Sequence, residues 1–244
     1  MEWLSPIDFP AQQQDIITRR QEGTGQWFLD SSEFKLWLQG SNKTLFCPGI
    51  PGAGKTTMAA IAIDHLCRTS PGDDIGVACL FCNYKAKTDQ SAASLLAALL
   101  KQLVQSRPDI KALVTHMYED HSKRRNRPSL DEIFGALQSA CSNYTTVYII
   151  VDALDEYADR DIARSRLLAK LRELQASTDL RLLFTSRFIT EITQEFQSNS
   201  ILEVRANEED VRQFVAGQMS RLPKYDEQLK HAIQDKIVEA VDGM

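Results

Sequence analysis

The sequence has no apolar run near the roughly 18 residues that a membrane helix needs. Its start, Met1-Glu2-Trp3-Leu4-Ser5-Pro6, lacks a basic segment followed by an apolar one, so no secretory leader is visible. Cysteine is scarce: five residues, an odd number in no paired framework. That excludes a disulfide scaffold and fits reduced thiols in a cytosolic or nuclear compartment, with the cytoplasm the expected location. Excess positive charge is also missing. The net charge is −5, from 28 Lys+Arg against 33 Asp+Glu, so no global basic field marks nucleic acid as a partner. There is no internal repeat and no low-complexity tract. What is present is globular: 244 residues, 43% hydrophobic and 25% charged. Such a chain buries a substantial core as one large α/β domain, with or without a short appendage.

Periodicity alternates between strand-like and helix-like, the pattern of a parallel sheet with crossover helices. Residues 1–43 read as a lead-in whose start is interrupted by Pro6 and Pro10. Its Asp30-Ser31-Ser32-Glu33 opens a short amphipathic helix that Gly40 ends. Residues 44–205 read as the core. Strands are expected at Thr44–Cys47, Ile75–Cys82, Val147–Val151, Leu180–Phe184 and Ile201–Val204. Between them lie helices at Gly54 to about Cys67, Ser91–Gln105, Pro108 to about Glu119, Ser129 to about Ala140, and Ile162 to Gln175. Pro71-Gly72-Asp73-Asp74 reads as a turn. Residues 206–244 read as a helical extension, with one helix after the Asn207-Glu208-Glu209-Asp210 cap and another from about Asp226. That last helix still runs near Val241, so the extension reads as truncated at Gly243-Met244.

The strongest chemical signal is Gly49-Ile50-Pro51-Gly52-Ala53-Gly54-Lys55-Thr56, which fits G-x-x-x-x-G-K-[ST] without a mismatch, between a strand and a helix. Glycines let the backbone curl so that successive N–H groups point at one phosphate, and the following helix N-terminus adds its positive end. Lys55 is placed to bind the β- and γ-phosphates, and Thr56 to offer a hydroxyl to Mg²⁺. The expected phosphate-binding stretch is therefore Gly49, Ile50, Pro51, Gly52, Ala53, Gly54, Lys55, Thr56 and the adjoining Thr57.

Asp152 directly follows the apolar strand Val147–Val151. A carboxylate at the C-terminal edge of a buried parallel strand faces the crevice where such sheets bind ligands, and suits the water shell of Mg²⁺. Thr56 and Asp152 are thus the expected metal residues. Asp155 and Glu156 follow beyond Ala153-Leu154; either could orient or deprotonate an attacking water, and Glu156 is favoured. Ala153 occupies the position where many fast hydrolases carry their catalytic Glu. The fourth strand ends in Thr185-Ser186-Arg187. If it lies beside the first strand, Arg187 sits near the γ-phosphate, where it could sense that group or neutralise transition-state charge.

Other features carry less. Cys79 and Cys82 lie within an apolar strand and have no second Cys/His pair, so they read as buried structural thiols. The four His residues are scattered. The run Lys123-Arg124-Arg125-Asn126-Arg127 reads as a solvated loop.

Two stretches together resemble the start of NACHT-type domains: Arg20-Gln21-Glu22-Gly23-Thr24-Gly25-Gln26-Trp27-Phe28-Leu29, and Phe46-Cys47-Pro48 running into the loop through Thr56. The likeness is greatest to the nephrocystin-like N-terminal class of fungal ankyrin-repeat and NOD-like proteins. Asp152-Ala153-Leu154-Asp155-Glu156 resembles the acidic motif of that class, and Thr185-Ser186-Arg187 is similar to its sensor-arginine segment. The resemblance spans roughly residues 5–244. It implies an α/β P-loop NTPase of the STAND type, a three-layer sandwich whose parallel five-stranded sheet has the order 5-1-4-3-2, plus the helical extension. It implies ATP and Mg²⁺ as cofactors, with GTP left open, slow hydrolysis, and nucleotide state used as a switch for assembly with other protein domains or with itself. It also implies that the lead-in from Gly23 to Trp27 helps wall the nucleotide pocket. Members of the class continue past the segment matching Val241–Met244 into a winged-helix region and repeats.

Three functions compete: a nucleotide-dependent signalling switch, a metabolic P-loop kinase, and a degenerate module that only binds protein. A kinase needs a lid arginine cluster, and Lys123–Arg127 precedes the acidic strand, an awkward place for a lid. Intact Lys55, Thr56 and Asp152 argue against a degenerate module. The switch is the favoured reading.

Overall fold

The computed structural model describes residues 2–40, 43–69, 74–85, 90–124, 126–157, 162–220 and 227–242. The turn expected at Pro71–Asp74 falls mostly outside them. Five strands, β1 (Thr44–Pro48), β2 (Ile75–Phe81), β3 (Thr146–Asp152), β4 (Leu180–Ser186) and β5 (Ser200–Ile201), form one parallel sheet in the order β2-β3-β4-β1-β5. This is the 5-1-4-3-2 order read from its other edge. Helices cover both faces, so β1 and β3 are buried along their whole length and their sequences do not alternate.

Register decides what the sheet presents at its C-terminal edge. Val151 pairs with Phe184, and Cys47 pairs with Thr185. Asp152, Thr185 and the end of β1 therefore lie in one row across three strands. β5 is shorter than the expected Ile201–Val204. The chain still follows β1 past Ile201, since Leu202 N–H donates to the Phe46 carbonyl at 2.9 Å and Val204 N–H to the Pro48 carbonyl at 2.7 Å.

The lead-in holds three helices, α1 (Phe9–Thr18), α2 (Gln26–Asp30) and α3 (Ser32–Leu38). The sequence reading had only the last. Pro10 does not interrupt α1; it sits in the first turn, where its missing N–H costs nothing. α4 (Lys55–Thr69) follows the glycine loop, and α1 packs along it, with a Gln13 Nε2 bond to the Ala60 carbonyl at 3.2 Å, while its buried Phe9 lies near Phe81 of β2.

On the other face lies α5 (Ala92–Ser106), whose Leu95, Leu96, Leu99, Leu100 and Leu103 are fully buried. Gln102 of α5 accepts from Cys79 N–H at 2.9 Å and donates to the Cys79 carbonyl at 2.8 Å. A side-chain amide thus takes the place of a neighbouring strand at the edge of β2. α6 (Lys111–Arg124) is longer than expected, so Lys123 and Arg124 end a helix instead of lying in a loop. α7 (Leu130–Cys141) begins with the expected capping box of Ser129 and Glu132. α8 (Ile162–Ser177) and α9 (Thr190–Glu195) flank β4, and α10 (Glu208–Ser220) packs on α11 (Glu227–Asp242) as the helical extension. Among the described residues no helix is long and apolar enough to cross a membrane. Cys79 and Cys82 are buried, and desolvation raises both thiols well above the ordinary range.

Candidate functional site

β1 ends in the glycine loop at the sheet's C-terminal edge. Gly49 N–H donates to the Ser186 carbonyl of β4 at 3.1 Å, which ties the start of the loop to the neighbouring strand. Gly52 and Gly54 have φ of +84° and +91°, and a Cβ on either would point into open space. The loop therefore needs glycine for its backbone path, and the concave side it curls around is unobstructed. α4 begins at Lys55. The Lys55 ammonium lies over the loop itself, donating to the Gly49 and Ile50 carbonyls at 2.9 and 2.8 Å. Burial lowers its pKa from the usual lysine value, while the Asp155 and Asp152 carboxylates pull it back up.

Asp152 is 3% exposed and faces the first turn of α4. It accepts hydrogen bonds from Thr56 Oγ1 at 2.8 Å and from Thr185 Oγ1 at 2.5 Å. Burial raises its pKa, against the pull of these two hydroxyls and of Lys55. The Thr185 hydroxyl in turn accepts from Ala153 N–H at 2.9 Å. Ala153 has φ of +54°, the only positive value outside glycine among the described residues. This left-handed step turns the chain out of β3 into a single helical turn, Leu154–Glu156, anchored by fully buried Leu154.

That turn aims Asp155 back toward β4. The Asp155 side chain is 1% exposed; it accepts from Arg187 N–H at 2.9 Å and from the Arg187 guanidinium, which is half-exposed. Glu156 is half-buried beside it. The structure thus gathers Lys55, Thr56, Asp152, Asp155, Glu156, Thr185 and Arg187 at one edge of the sheet. Among the described residues no group of three or more His, Cys, Asp or Glu side chains could cage a metal. Thr56 and Asp152 together still fit Mg²⁺, which takes few protein ligands and fills its shell with water and phosphate oxygens.

A cavity of about 690 Å³ runs from this loop to the helical extension. Ile50 to Gly54, Thr57 and Met58 form its floor. Ile16, Arg20 and Thr24 of the lead-in form one wall, and Asp210, Val211 and Phe214 of α10 the other. The sequence analysis placed Thr57 here but read α10 only as a capped helix. Phe214 on that wall is 48% exposed although large and apolar, a feature that only the fold reveals.

Compared with known sequences, residues 23–187 match the family described as nephrocystin 3, N-terminal. The chain belongs to this family. No curated protein matches the chain. Among solved structures, a Walker-type ATPase of Pyrococcus abyssi superposes with a TM-score of 0.53 at 13% identity, over 93% of this chain and 66% of that one. The ORC1 protein of Aeropyrum pernix, solved in complex with DNA, gives 0.52 at 15% identity, over 78% of this chain and 47% of that one. Domain III of the Thermotoga maritima replication initiation protein DnaA gives 0.49 at 13%, over 89% and 79%. The chain thus spans about two thirds of the first of these proteins and about half of the second. At 13% and 15% identity the first two likenesses are of fold, and the fold is that of the P-loop ATPases. The sheet has the strand order that the resemblance implied, and the glycine loop stands where its motif implied, between a strand and a helix.

Proposed function

We propose that this chain is a nucleotide-binding switch domain of the STAND type that binds ATP with Mg²⁺, hydrolyses it slowly, and relays nucleotide state to partner domains or to copies of itself in the cytoplasm. The observation that carries this reading is the convergence of the open glycine loop, which lines the cavity, with Lys55, Thr56 and buried Asp152 at the sheet's C-terminal edge.

The N–H groups of Gly52 and of Gly54 to Thr57 bind the phosphates. Lys55 exchanges its two carbonyl partners for phosphate oxygens, a step its flexible stem allows. Thr56 and Asp152 hold Mg²⁺, which supplies charge neutralisation at the phosphates when bound. Asp155 and Arg187 form one hydrogen-bonded unit at the γ-phosphate end, with Arg187 as the charge sensor. Glu156 orients the attacking water. The nucleoside lies in the cavity against Ile50, Met58, Val211 and Phe214. A net charge of −5 favours no nucleic-acid partner.

Calorimetry with ATP, ADP and GTP, with and without Mg²⁺, tests this reading. Micromolar or tighter binding that Lys55→Ala weakens by one to several decades is expected. Absence of binding of all three nucleotides to the wild-type chain overturns it.

A further inference from the structure

The lead-in and α10 meet along a seam that the nucleotide chemistry does not require. Asp210, in the first turn of α10, accepts from Gly25 N–H with both carboxylate oxygens, each at 2.9 Å, and from Trp27 Nε1 at 3.0 Å. The partners are 185 and 183 residues apart in sequence. A Cβ on Gly23 would come within 2.9 Å of Gln213 Oε1, and a Cβ on Gly217 would overlap the Gln21 amide. Residues 210, 213 and 217 lie three and four apart, so they share one face of α10. Residues 21, 23 and 25 alternate along the lead-in against that face.

Gly25 is held from its other side as well. Its φ is +77°, and a Cβ there would overlap Ile61 Cδ1 and crowd Met58, both on the helix that follows the glycine loop. Gly25 therefore stands between α4 and α10, with no room on the α4 side and a carboxylate on its N–H. The cavity is bounded by the same parts: Gln21 and Thr24 beside the seam, Met58 beneath it, and Asp210, Val211 and Phe214 on its far wall.

We propose that Asp210 is a positioning residue that clasps α10 to the lead-in, so that filling the cavity and closing the clasp stabilise one another. This rests on the nucleotide reading above. The cavity has its full depth only when α10 is held at this distance. A nucleotide spanning loop and extension favours the clasped state, and by linkage a clasped α10 favours the nucleotide. α10 and the lead-in are then the route by which nucleotide state reaches whatever the extension touches.

Hydrogen exchange on the full chain, with and without ADP, tests the clasp in wild type, Asp210→Ala, Asp210→Asn and Trp27→Phe. In wild type, ADP should protect the glycine loop, the segment around Gly25 and α10 together. In Asp210→Ala, ADP should protect the loop but no longer Gly25 or α10, and affinity should fall on the order of tenfold. Asp210→Asn retains one acceptor oxygen and Trp27→Phe removes one donor while keeping a ring. Both should lie between wild type and Asp210→Ala, and this gradation keeps the test valid if the alanine variant folds poorly. Protection of Gly25 and α10 that is unchanged in all three variants, with the loop protected, overturns the clasp and leaves nucleotide binding standing. No protection of the loop in wild type overturns the nucleotide reading and the clasp with it.

Discussion

Arg187 closes over Asp155 from the end of β4, donating its backbone N–H to one carboxylate oxygen at 2.9 Å and its guanidinium to the other. The carboxylate is buried to 1% exposure while the guanidinium is half in solvent. The hydrogen bond and charge of Asp155 hold the arginine pKa above its ordinary value. Such a pair acts as a unit. Arg187→Ala should lower ATP hydrolysis by about a decade or more while leaving ADP affinity nearly unchanged. In a double-mutant cycle with Asp155→Asn, the hydrolysis effects should fall short of additivity by about 1 kcal/mol, a figure kept small because Arg187 is half-exposed. Full additivity would mean that the two residues act separately.

Lys55 gives a prediction in pH. Burial lowers its pKa from 10.5 in the free protein, and bound phosphates, being anionic, raise it again. Binding therefore takes up a proton once the free lysine has lost its own. Affinity for ATP should be constant on the acid side of the lowered value and fall as pH rises through it, at a lower pH than an ordinary lysine would set. Lys55→Ala should remove this slope and cost about 2–5 kcal/mol of binding, one to several decades. Calorimetry across the alkaline range reads both effects. A slope that survives in Lys55→Ala assigns it to another group.

Asp152 opposes stability and function. Its folded pKa is raised by burial above the ordinary 3.8, so the ionised form is disfavoured in the fold. Protonation therefore stabilises the protein below 3.8, and that stabilisation is lost as pH rises through the folded value. Asp152→Asn keeps the shape without the charge. It should raise stability at pH 7 by about 0.5–2 kcal/mol, and the gain should close as the pH approaches 3.8. The same variant should bind ATP with no dependence on Mg²⁺. Thermal denaturation at several pH values would refute this if Asp152→Asn proved the less stable protein at pH 7.

The glycine loop and the acidic strand end were legible because each is contiguous in sequence. Gly49 to Thr56 carry their spacing wherever the chain goes, and Asp152 announces itself by following five apolar residues. The strand order was legible only through the family resemblance, since no local pattern says that β4 lies between β1 and β3. α1 was missed because Gln12-Gln13-Gln14-Asp15 hides its stripe, and the residue it buries there, Gln13, is polar. The far wall of the cavity was illegible for a different reason. Asp210 and Gly25 meet across 185 residues, and neither belongs to a pattern that marks the other.

Phe214 distinguishes binding of the base from binding of the phosphates. It lies on the wall opposite the lead-in and keeps 48% of its surface exposed, which a bound base would cover. Covering an aromatic face of this size contributes about 1–3 kcal/mol. Phe214→Ala should weaken ADP binding by about tenfold or more and leave inorganic tripolyphosphate binding unchanged. Equal losses for both ligands would place Phe214 in the fold and not against the base.

The turnover rate follows from what stands after Asp152. Ala153 holds the position of the usual catalytic Glu, and its left-handed φ of +54° carries the chain away from the strand edge. Asp155, the next carboxylate, has its oxygens engaged by Arg187. Glu156 is left to orient water from the end of a short turn, with no partner among the described residues to fix it as Thr56 and Thr185 fix Asp152. Loosely held water forfeits much of the gain that positioning supplies. Steady-state phosphate release should therefore run well under the ~10 s⁻¹ median of ordinary enzymes, below about one turnover per second. Glu156→Gln should slow it further by about 10²-fold with ATP affinity retained. Single-turnover measurement separates slow chemistry from slow release: a fast first turnover would place the limit at product release. A wild-type rate in Glu156→Gln would return the role of base to Asp155, and the Asp155–Arg187 contact would then have to open before each hydrolysis.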